Sequence, residues 1–445
     1  MSEEFKQTYI HEKAVIDVNV QDPRIKRKPI MDKYVLLNYT SNNMHTTEPS
    51  NDAVTLVTNP EHYYSIIVDN KTNQPLSIAP SVPIPLDEFI QKYPVGSQHI
   101  QVNPMTEGTL IQLFYDKNDN DWQIATKGTI GGNNHHYRTE YNGYTFHKQK
   151  TFREMFYDAL TQVIVAPKIL PDSNTSRLIC DLTYNTSETY YNTPLWQIPY
   201  IKTLDKSCCY SYVITHPSNI MTNIVCVPTI TLVAVCELLP YGLDTGHYIA
   251  FSVPQQTFAE MIPQEYRKIV RIQSSINWGD KSLEEETLNF VFANDVSPGI
   301  MLTNIQTGER AVLENMSYKY VAQLRGNHQN LQYQFFELHC SNRLGEFLAR
   351  FPVFTGLFSH FFNQYYDFAF RVYSVYVQYY IHKNREFVNY LYHKHASKIH
   401  RDIFLASVAA GTKTTITREI VQYYFDRMTP LQLLCIMTTS DIVSP

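Results

Sequence analysis

The chain has 445 residues, which is enough for two or three domains, and its 44% apolar and 18% charged residues exclude a disordered polypeptide. Only 15 residues are glycine, which argues against collagen-like chains and glycine-rich phosphate loops. The net charge of −5 argues against a general nucleic-acid coat, because unspecific binding needs a basic surface, but it is compatible with a local basic groove.

The predicted elements begin with an N-terminal arm and then become strand-like. Residues 1–50 are polar and mixed in pattern, which predicts an extended arm. A hairpin is predicted across the turn at residues 70–74, and a short helix at residues 85–90 has carboxylates in its first turn. A second hairpin joins strands at residues 109–115 and 122–127 through a polar turn.

The middle of the chain continues this mixed pattern. Thr151 and Glu154 stand three residues apart, as in a capping box, and predict the start of a helix. Strands are predicted at residues 210–214 and 230–238, and a further hairpin is predicted at residues 300–313.

After Gly326 the pattern becomes helical. Glycine nearly disappears, and apolar residues such as Phe358 and Phe361 recur at helical spacing. The sequence therefore predicts three parts, namely an arm over residues 1–50, an α+β domain over residues 51–326 and an α-helical domain over residues 327–445.

Cysteine usage and the lack of long apolar segments indicate the compartment. The seven cysteines are never spaced as Cys-x-x-Cys, which predicts neither a zinc site nor a disulfide framework and favours a reducing compartment. The first residues lack the apolar core of a signal peptide, and polar side chains interrupt the aromatic stretch at residues 351–382. We therefore expect an intracellular protein without a metal and without a membrane partner.

Two neighbouring segments carry the strongest functional signal. Residues 103–111 read Asn-Pro-Met-Thr-Glu-Gly-Thr-Leu-Ile, and residues 122–130 read Trp-Gln-Ile-Ala-Thr-Lys-Gly-Thr-Ile. This pair resembles the start of the covalent nucleotidyltransferases, in particular the phage-type RNA ligases, in which Lys-x-Asp/Glu-Gly-Ser/Thr-Leu precedes a strand, a turn and a Thr-Lys-Gly segment. The resemblance assigns Glu107, Gly108 and Lys127 to a nucleotide-binding cleft.

The nucleophile of that family is missing. Its chemistry needs a lysine ε-amine that attacks the α-phosphate of ATP and forms a lysyl–AMP. The position three residues before Gly108 is Met105, whose thioether has no proton to lose and forms no stable bond to phosphorus. The resemblance therefore implies that this step cannot occur at residue 105.

Two later segments align in the same order and have also lost chemical residues. Residues 210–219 resemble a family segment in which a glutamate holds the ribose; Ser211 takes that position, and Asn219 is retained. Residues 297–314 resemble Glu-Gly-Val-Val followed by Lys-x-Lys, and Pro298 stands in place of the glutamate that would carry the metal.

The phosphate-binding lysines of this last segment are replaced as well. Val312 and Glu314 take their positions, and a carboxylate there adds repulsion toward a triphosphate. Arg310 precedes both on the same predicted strand and is a further candidate for the cleft.

The resemblance implies a fold and a function. The fold would be an α+β nucleotidyltransferase domain, an ATP-grasp-like adenylation domain of two antiparallel sheets with flanking helices, followed by an α-helical domain. The chain looks similar to RNA-ligase-like proteins of large DNA viruses of eukaryotes, which would place it in the host cytoplasm or the virion. Because each lost chemical residue costs orders of magnitude in rate, we expect a pseudoenzyme that uses no cofactor and binds an RNA, a nucleotide or a protein.

Two other functions stay open at this point. An active ligase that uses ATP and magnesium would need a displaced lysine nucleophile, such as Lys117 or Lys127. A structural or virion scaffold would keep the fold and bind neither nucleotide nor nucleic acid.

The helical region contains cations among tyrosines and histidines. The candidates for RNA binding are Lys383, Arg385, Lys394, Lys398 and Arg401. A basic, aromatic surface can contact RNA phosphates and stack on bases, although the same pattern is typical of a solvated helix face.

Overall fold

The computed structural model describes residues 11–40, 60–94, 96–97, 99–138, 140–141, 144–145, 149–161, 167–169, 178–180, 191–223, 225–241, 246–273, 276–277, 297–385 and 389–443. The chain divides into two compact units. Residues 1–136 and 150–323 form the sheet unit, and residues 137–149 and 324–445 form the helical unit.

Strands dominate the sheet unit, and helices dominate the helical unit. In chain order the strands are β1 (His11–Asp17), β2 (Ile25–Ile30), β3 (Tyr34–Tyr39), β4 (Ile66–Asp69), β5 (Pro75–Ile78), β6 (Ile100–Pro104), β7 (Thr109–Asp116), β8 (Asp121–Ala125), β9 (Glu140–Tyr141), β10 (Tyr144–Thr145), β11 (Pro167–Ile169), β12 (Leu178–Cys180), β13 (Cys208–Thr215), β14 (Thr229–Pro240), β15 (His247–Ser252), β16 (Val270–Ile272), β17 (Ile276–Asn277), β18 (Gly299–Asn304) and β19 (Arg310–Glu314). The α-helices are α1 (Leu86–Lys92), α2 (Phe152–Thr161), α3 (Pro199–Lys202), α4 (Phe258–Met261), α5 (Met316–Arg325), α6 (Leu331–Cys340), α7 (Leu344–Arg350), α8 (Thr355–Tyr376), α9 (Tyr390–Ile399), α10 (Ala406–Ala409), α11 (Arg418–Asp426) and α12 (Pro430–Val443). The fold class is thus α+β, with antiparallel sheets followed by a helical region, as the sequence predicted at this coarse level.

The central sheet has the order β1-β15-β14-β13-β7-β8, with antiparallel neighbours, and β16 pairs with β14 in parallel. Successive side chains of a strand point to opposite faces. On β13 this places Tyr210 and Tyr212 in a core with α2, whereas Cys209 joins a second core formed with β3 and β4. The central sheet is therefore covered on both faces.

A second sheet, here called the cleft sheet, has the order β17-β6-β18-β19. Its apolar face presents Val102 and Leu302, which pack with Phe89 of α1. The alternate residues, including Gln101 and Thr303, project from the other face. The cleft sheet is thus apolar on one side and polar on the other.

The N-terminal region differs from the predicted arm. Residues 11–40 supply β1, which pairs with β15, and β2 and β3, which form a third sheet with β4 and β5. Leu36 and Leu37 are fully buried there. β1 pairs with β15, which lies more than 200 residues along the chain, and a local pattern cannot report such a contact.

The predictions that rested on short-range patterns are confirmed. β4 and β5 form the hairpin across the turn at residues 70–74, β7 and β8 form the second hairpin, and β18 and β19 form the third. The capping box at α2 is present: the Glu154 backbone N–H donates to Thr151 Oγ1 at 3.2 Å, and the Thr151 backbone N–H donates to the Glu154 carboxylate at 2.7 Å.

The helical unit is organised around α8. The predicted spacing is confirmed, because Phe358, Phe361 and Tyr365 are all buried. This unit also includes residues 137–149, which the sequence pattern had placed in the preceding domain; the Leu331 backbone N–H donates to the hydroxyl of Tyr141 at 2.9 Å. Among the described helices, none is both long and apolar enough to cross a membrane.

Candidate functional site

A cavity of about 360 Å³ lies within the sheet unit, lined by the central sheet and the cleft sheet. The central sheet contributes an apolar wall that includes Leu110 on β7, Val213 on β13 and Val235 on β14. Phe258 of α4 lies on this side as well. The volume and the apolar wall are typical of small-molecule sites.

A row of three donors crosses the opposite wall. Gln101 of β6 pairs in register with Thr303 of β18, which in turn pairs with Arg310 of β19, and all three line the cavity. Residues directly opposite each other on neighbouring strands project from the same face, so an amide, a hydroxyl and a guanidinium lie side by side. Gln101 is only 6% exposed, and its Nε2 has no hydrogen-bond partner within the described residues.

Arg310 carries the positive charge of this wall. Its Nη1 donates to the backbone carbonyl of Ser81 at 3.3 Å, and no carboxylate of the described residues pairs with it. Burial lowers the pKa of Arg310 to about 10, an effect that Tyr64 partly opposes. The guanidinium therefore stays charged at neutral pH, and a partly buried charge without a counter-ion becomes more favourable when an anion binds beside it.

The remaining lining is neutral. Among the described residues that line the cavity there is no aspartate, glutamate, lysine, histidine or cysteine. Carboxylates are the usual protein ligands of Mg²⁺, and lysine is the nucleophile of nucleotidyl transfer. The described lining can attract an anion, but it supplies neither a metal ligand of that kind nor an amine.

Met105 and the strand of Ser211 meet at this cavity. Met105 follows β6, lines the cavity and donates its backbone N–H to the Gly299 carbonyl at 2.9 Å. Ser211 is buried on β13 and does not line the cavity. Val213, two positions further along β13, does line it, and so does Ala234, which pairs with Ser211 on β14. Of the two positions that the resemblance aligns with the nucleophile and the ribose contact, Met105 thus lines the cavity and Ser211 does not, and neither carries an ionisable group.

Glu107 does not line the cavity, in contrast to the sequence prediction. Its carboxylate accepts hydrogen bonds from the Thr222 backbone N–H at 2.6 Å, the Asn223 side chain at 2.7 Å and the Tyr318 hydroxyl at 2.9 Å. These partners lie more than 100 residues away in sequence, which is why the local motif did not reveal them. Glu107 ties a loop and α5 to the start of β7.

Gly108 and Asn219 were also predicted for the cleft and instead position strands. Gly108 has φ of +152°, and a Cβ atom there would lie 2.3 Å from the Ile214 carbonyl oxygen on β13. Asn219 donates to Thr109 Oγ1 at 2.8 Å. Both residues hold β7 against the segment that includes and follows β13, and neither lines the cavity.

The positions of the last motif lie along the cleft sheet. Val312 pairs with Met301, which lines the cavity, although Val312 itself does not. Pro298 precedes β18 and accepts a backbone hydrogen bond from Asn315 at 3.0 Å. Glu314 is exposed and forms an ion pair with Lys319 of α5, which reduces the repulsion that the sequence predicted toward phosphate.

Neither Lys117 nor Lys127, the two lysines of the active-ligase alternative, lines the cavity. Lys127 is exposed, and its Nζ lies 4.2 Å from the ring centre of Tyr64, which does line the cavity. Burial nevertheless lowers the pKa of Lys127. Lys117 lies in the turn at the other end of β7, roughly 25 Å of strand away from Thr109.

The cations predicted for RNA binding lie on the helical unit. Lys394 and Lys398 are exposed on α9, and Arg401 follows in a π-helical turn and pairs with the neighbouring Asp402 at 2.6 Å. Lys383 and Arg385 are exposed between α8 and α9; the Arg385 guanidinium lies 5.3 Å from the ring centre of Tyr379. All five are therefore on the surface of this unit.

Sequence patterns revealed neither the donor row nor a buried charged network. Gln101 and Thr303 belong to no motif, and only strand register places them beside Arg310. The fully buried carboxylate of Asp158 accepts from His216 Nε2 at 3.1 Å and also pairs with Lys150. Within the described residues, no group of three histidine, cysteine, aspartate or glutamate side chains is arranged to hold a metal.

No protein-family model matches this chain, and no curated protein matches it either. The resemblance to RNA ligases therefore rests on the aligned motifs at residues 103–130, 210–219 and 297–314.

Proposed function

We propose that this protein is a pseudoenzyme of RNA-ligase-like origin whose cavity binds a nucleotide without forming a covalent bond to it. The observation that carries the proposal is the lining of the cavity, which has one partly buried guanidinium, neutral donors and, among the described residues, no lysine or carboxylate. An anionic ligand is attracted to such a site. Neither an amine nucleophile nor a metal-binding carboxylate is present in that described lining to act on the ligand.

The two walls suit the two halves of a nucleotide. The apolar wall of Leu110, Val213 and Phe258 can cover a base, while the donors of Gln101, Thr303 and Arg310 can bind phosphate oxygens. Gln101 supports this assignment in particular, because a buried amide donor without a partner is costly and gains a bond when a ligand acceptor arrives.

The experiment that tests the proposal measures adduct formation and binding in the same sample. The full chain is incubated with labelled ATP or GTP and Mg²⁺ or Mn²⁺, and protein-bound label is assayed after denaturation. We expect no acid-labile label, together with reversible binding of nucleotide by equilibrium dialysis. An adduct on Lys127 or any other lysine would establish the active-ligase alternative instead, and the absence of both adduct and binding would favour a scaffold.

Binding of single-stranded RNA by the helical unit is a second candidate function. This unit contains 14 lysines and arginines and 9 aspartates and glutamates, a net charge of +5, whereas the sheet unit contains 23 and 33, a net charge of −10. Lys394 and Lys398 share one face of α9 with Tyr390, which is 79% exposed, because these residues are four positions apart. An exposed ring beside cations can stack on a base while the cations bind phosphates, and a salt-dependent affinity for RNA tests this function.

A further inference from the structure

We infer that the cavity selects ligands with a single phosphate group and binds them without a metal ion, as in a nucleoside monophosphate. This inference rests on the proposed function and names the ligand class of the same site. It departs from the sequence resemblance, which implies ATP and magnesium for an active enzyme.

The donor row has the dimensions of one phosphate. Neighbouring strands lie about 4.8 Å apart, so the backbones of Gln101 and Arg310 are about 10 Å apart with Thr303 between them. The side chains of Gln101 and Arg310 are long enough to reach toward a phosphate group that lies over Thr303. An amide, a hydroxyl and a guanidinium then serve the oxygens of a single phosphate, whereas the other polar side chains of the described lining, such as Asn103 and Gln273, are neutral and offer a second phosphate no charge.

The charge of the lining favours one phosphate over three, because one phosphate leaves less negative charge unbalanced. A phosphate monoester carries about two negative charges at neutral pH, and a triphosphate carries roughly twice as much. Arg310 is the one cationic side chain among the described residues of the lining. The phosphate charges that Arg310 does not balance would remain in a partly buried site, where they repel one another more strongly than in water.

A metal ion cannot supply the missing positive charge through the described lining. Mg²⁺ is normally held by one or two carboxylates together with phosphate oxygens, and the described lining residues include no carboxylate. The Arg310 guanidinium occupies the polar wall and repels a second cation there. A triphosphate would therefore have to bind either without Mg²⁺ or with a Mg²⁺ ion that no carboxylate of the described lining coordinates.

The test compares ligands that differ in phosphate number. Adenosine, AMP, ATP and ATP with Mg²⁺ are titrated into the full chain by isothermal calorimetry. We expect AMP to bind about 10- to 100-fold more tightly than adenosine, which is the usual size of a charge-assisted hydrogen bond. ATP should bind no more tightly than AMP, and Mg²⁺ should leave AMP binding unchanged.

Variants locate the phosphate on the donor row. Arg310→Gln should weaken AMP binding at least about tenfold and leave adenosine binding unchanged, and Gln101→Leu and Thr303→Val should each weaken AMP alone. Arg267→Gln is the matched control, because Arg267 also donates to a backbone carbonyl, that of Ile262 at 3.0 Å, but is exposed and outside the lining. Tryptophan fluorescence checks that each variant is folded, and the milder Thr303→Val variant decides the outcome if Arg310→Gln does not fold.

The outcomes separate this inference from the proposed function. If ATP with Mg²⁺ binds more tightly than AMP, or if Arg310→Gln binds AMP as the wild type does, the single-phosphate inference is overturned while nucleotide binding stands. If none of the four ligands binds, the proposed function itself is overturned.

Discussion

His216 is held in its neutral form by the interior of the sheet unit. It is 1% exposed; its Nε2 donates to Asp158, and its Nδ1 accepts from the Ser218 backbone N–H at 2.9 Å. Burial lowers the pKa of His216 below its ordinary value, and this effect outweighs the opposite influence of Asp158 and of the carboxylate of Glu154. Lys150, which also pairs with Asp158, lowers the pKa further.

This arrangement makes the sheet unit sensitive to acid. In the unfolded chain a histidine takes up a proton near pH 6.5, whereas folded His216 does so only at lower pH. Between these values the unfolded state binds more protons, so the free energy of unfolding decreases as the pH falls. We expect a loss of at most about 1 kcal/mol from this histidine between pH 7 and pH 5.5, measured by urea unfolding.

Tryptophan fluorescence reports on this unit specifically, because the three tryptophans of the chain, Trp122, Trp196 and Trp278, all belong to it. His216→Gln should lower stability at pH 7 and should show a smaller decline toward pH 5.5. His247→Gln, which changes a half-exposed histidine of the same unit, should keep the full decline. A decline that is unchanged in His216→Gln would contradict this explanation.

Single residues of the site were predictable only where a motif named them. Arg310 and Met105 were identified from the sequence and do line the cavity. Gln101 was not, because its importance arises from its register with Thr303 on a strand about 200 residues away. The motif placed Glu107 in the cleft. Its hydrogen bonds to Thr222 and Tyr318, which are distant in sequence, could not be seen from the motif.

At the level of elements, β7 and β13 meet at a close approach that only glycine allows. Gly108 immediately precedes β7, and an added Cβ atom would lie 2.3 Å from the Ile214 carbonyl oxygen and 2.7 Å from a Val213 methyl group. Its φ of +152° is also unfavourable for other residues. Both the contact and the backbone conformation must change when a methyl group is introduced.

We expect Gly108→Ala to lower the stability of the sheet unit by about 2 kcal/mol or more, since the obstacle is backbone rather than a flexible side chain. Urea unfolding followed by tryptophan fluorescence measures the change. Gly128→Ala is the control, because nothing lies within 4 Å of the position that its new methyl group would take, and it should stay within about 0.5 kcal/mol of wild type. Equal stability of the two variants would show that β7 can move away from β13 at little cost.

Elements were predictable where their signals are local. The three hairpins carry turn residues between strand-like runs, and the capping box at α2 lies within four residues, so each could be read from a short window. β1 could not, because its pairing with β15 joins residues such as Ile16 and Tyr248 from distant parts of the chain.

For the molecule as a whole, the uneven distribution of charge is the feature that bears on the proposed RNA binding. The overall charge of −5 conceals +5 in the helical unit and −10 in the sheet unit. A unit boundary is needed to see this difference, and the sequence prediction placed residues 137–149 on the other side of that boundary. If the helical unit binds RNA as we propose, its positive charge favours the phosphates, whereas the negative charge of the sheet unit disfavours them.

We expect the affinity of the full chain for a single-stranded RNA oligonucleotide to fall with salt and to depend on the exposed face of α9. The double variant Lys394→Gln/Lys398→Gln removes two cations from this face and should reduce the slope of log affinity against log salt by about 1.4, the value for two single-strand phosphate contacts. Tyr390→Ser should weaken binding about tenfold without changing the slope, because a stacked ring contributes no charge. Fluorescence anisotropy of a labelled oligonucleotide measures both quantities.

The matched control is Lys413→Gln/Arg427→Gln, which removes the same charge from exposed positions of the helical unit outside α9. If binding arises only from the net charge of the unit, the two double variants will lose affinity equally and Tyr390→Ser will bind as the wild type does. A localised RNA site requires the opposite result, with the control close to wild type and both α9 variants impaired. Since Lys394 and Lys398 lie on the helical unit and Arg310 on the sheet unit, impaired RNA binding in the α9 variants should leave AMP binding unchanged.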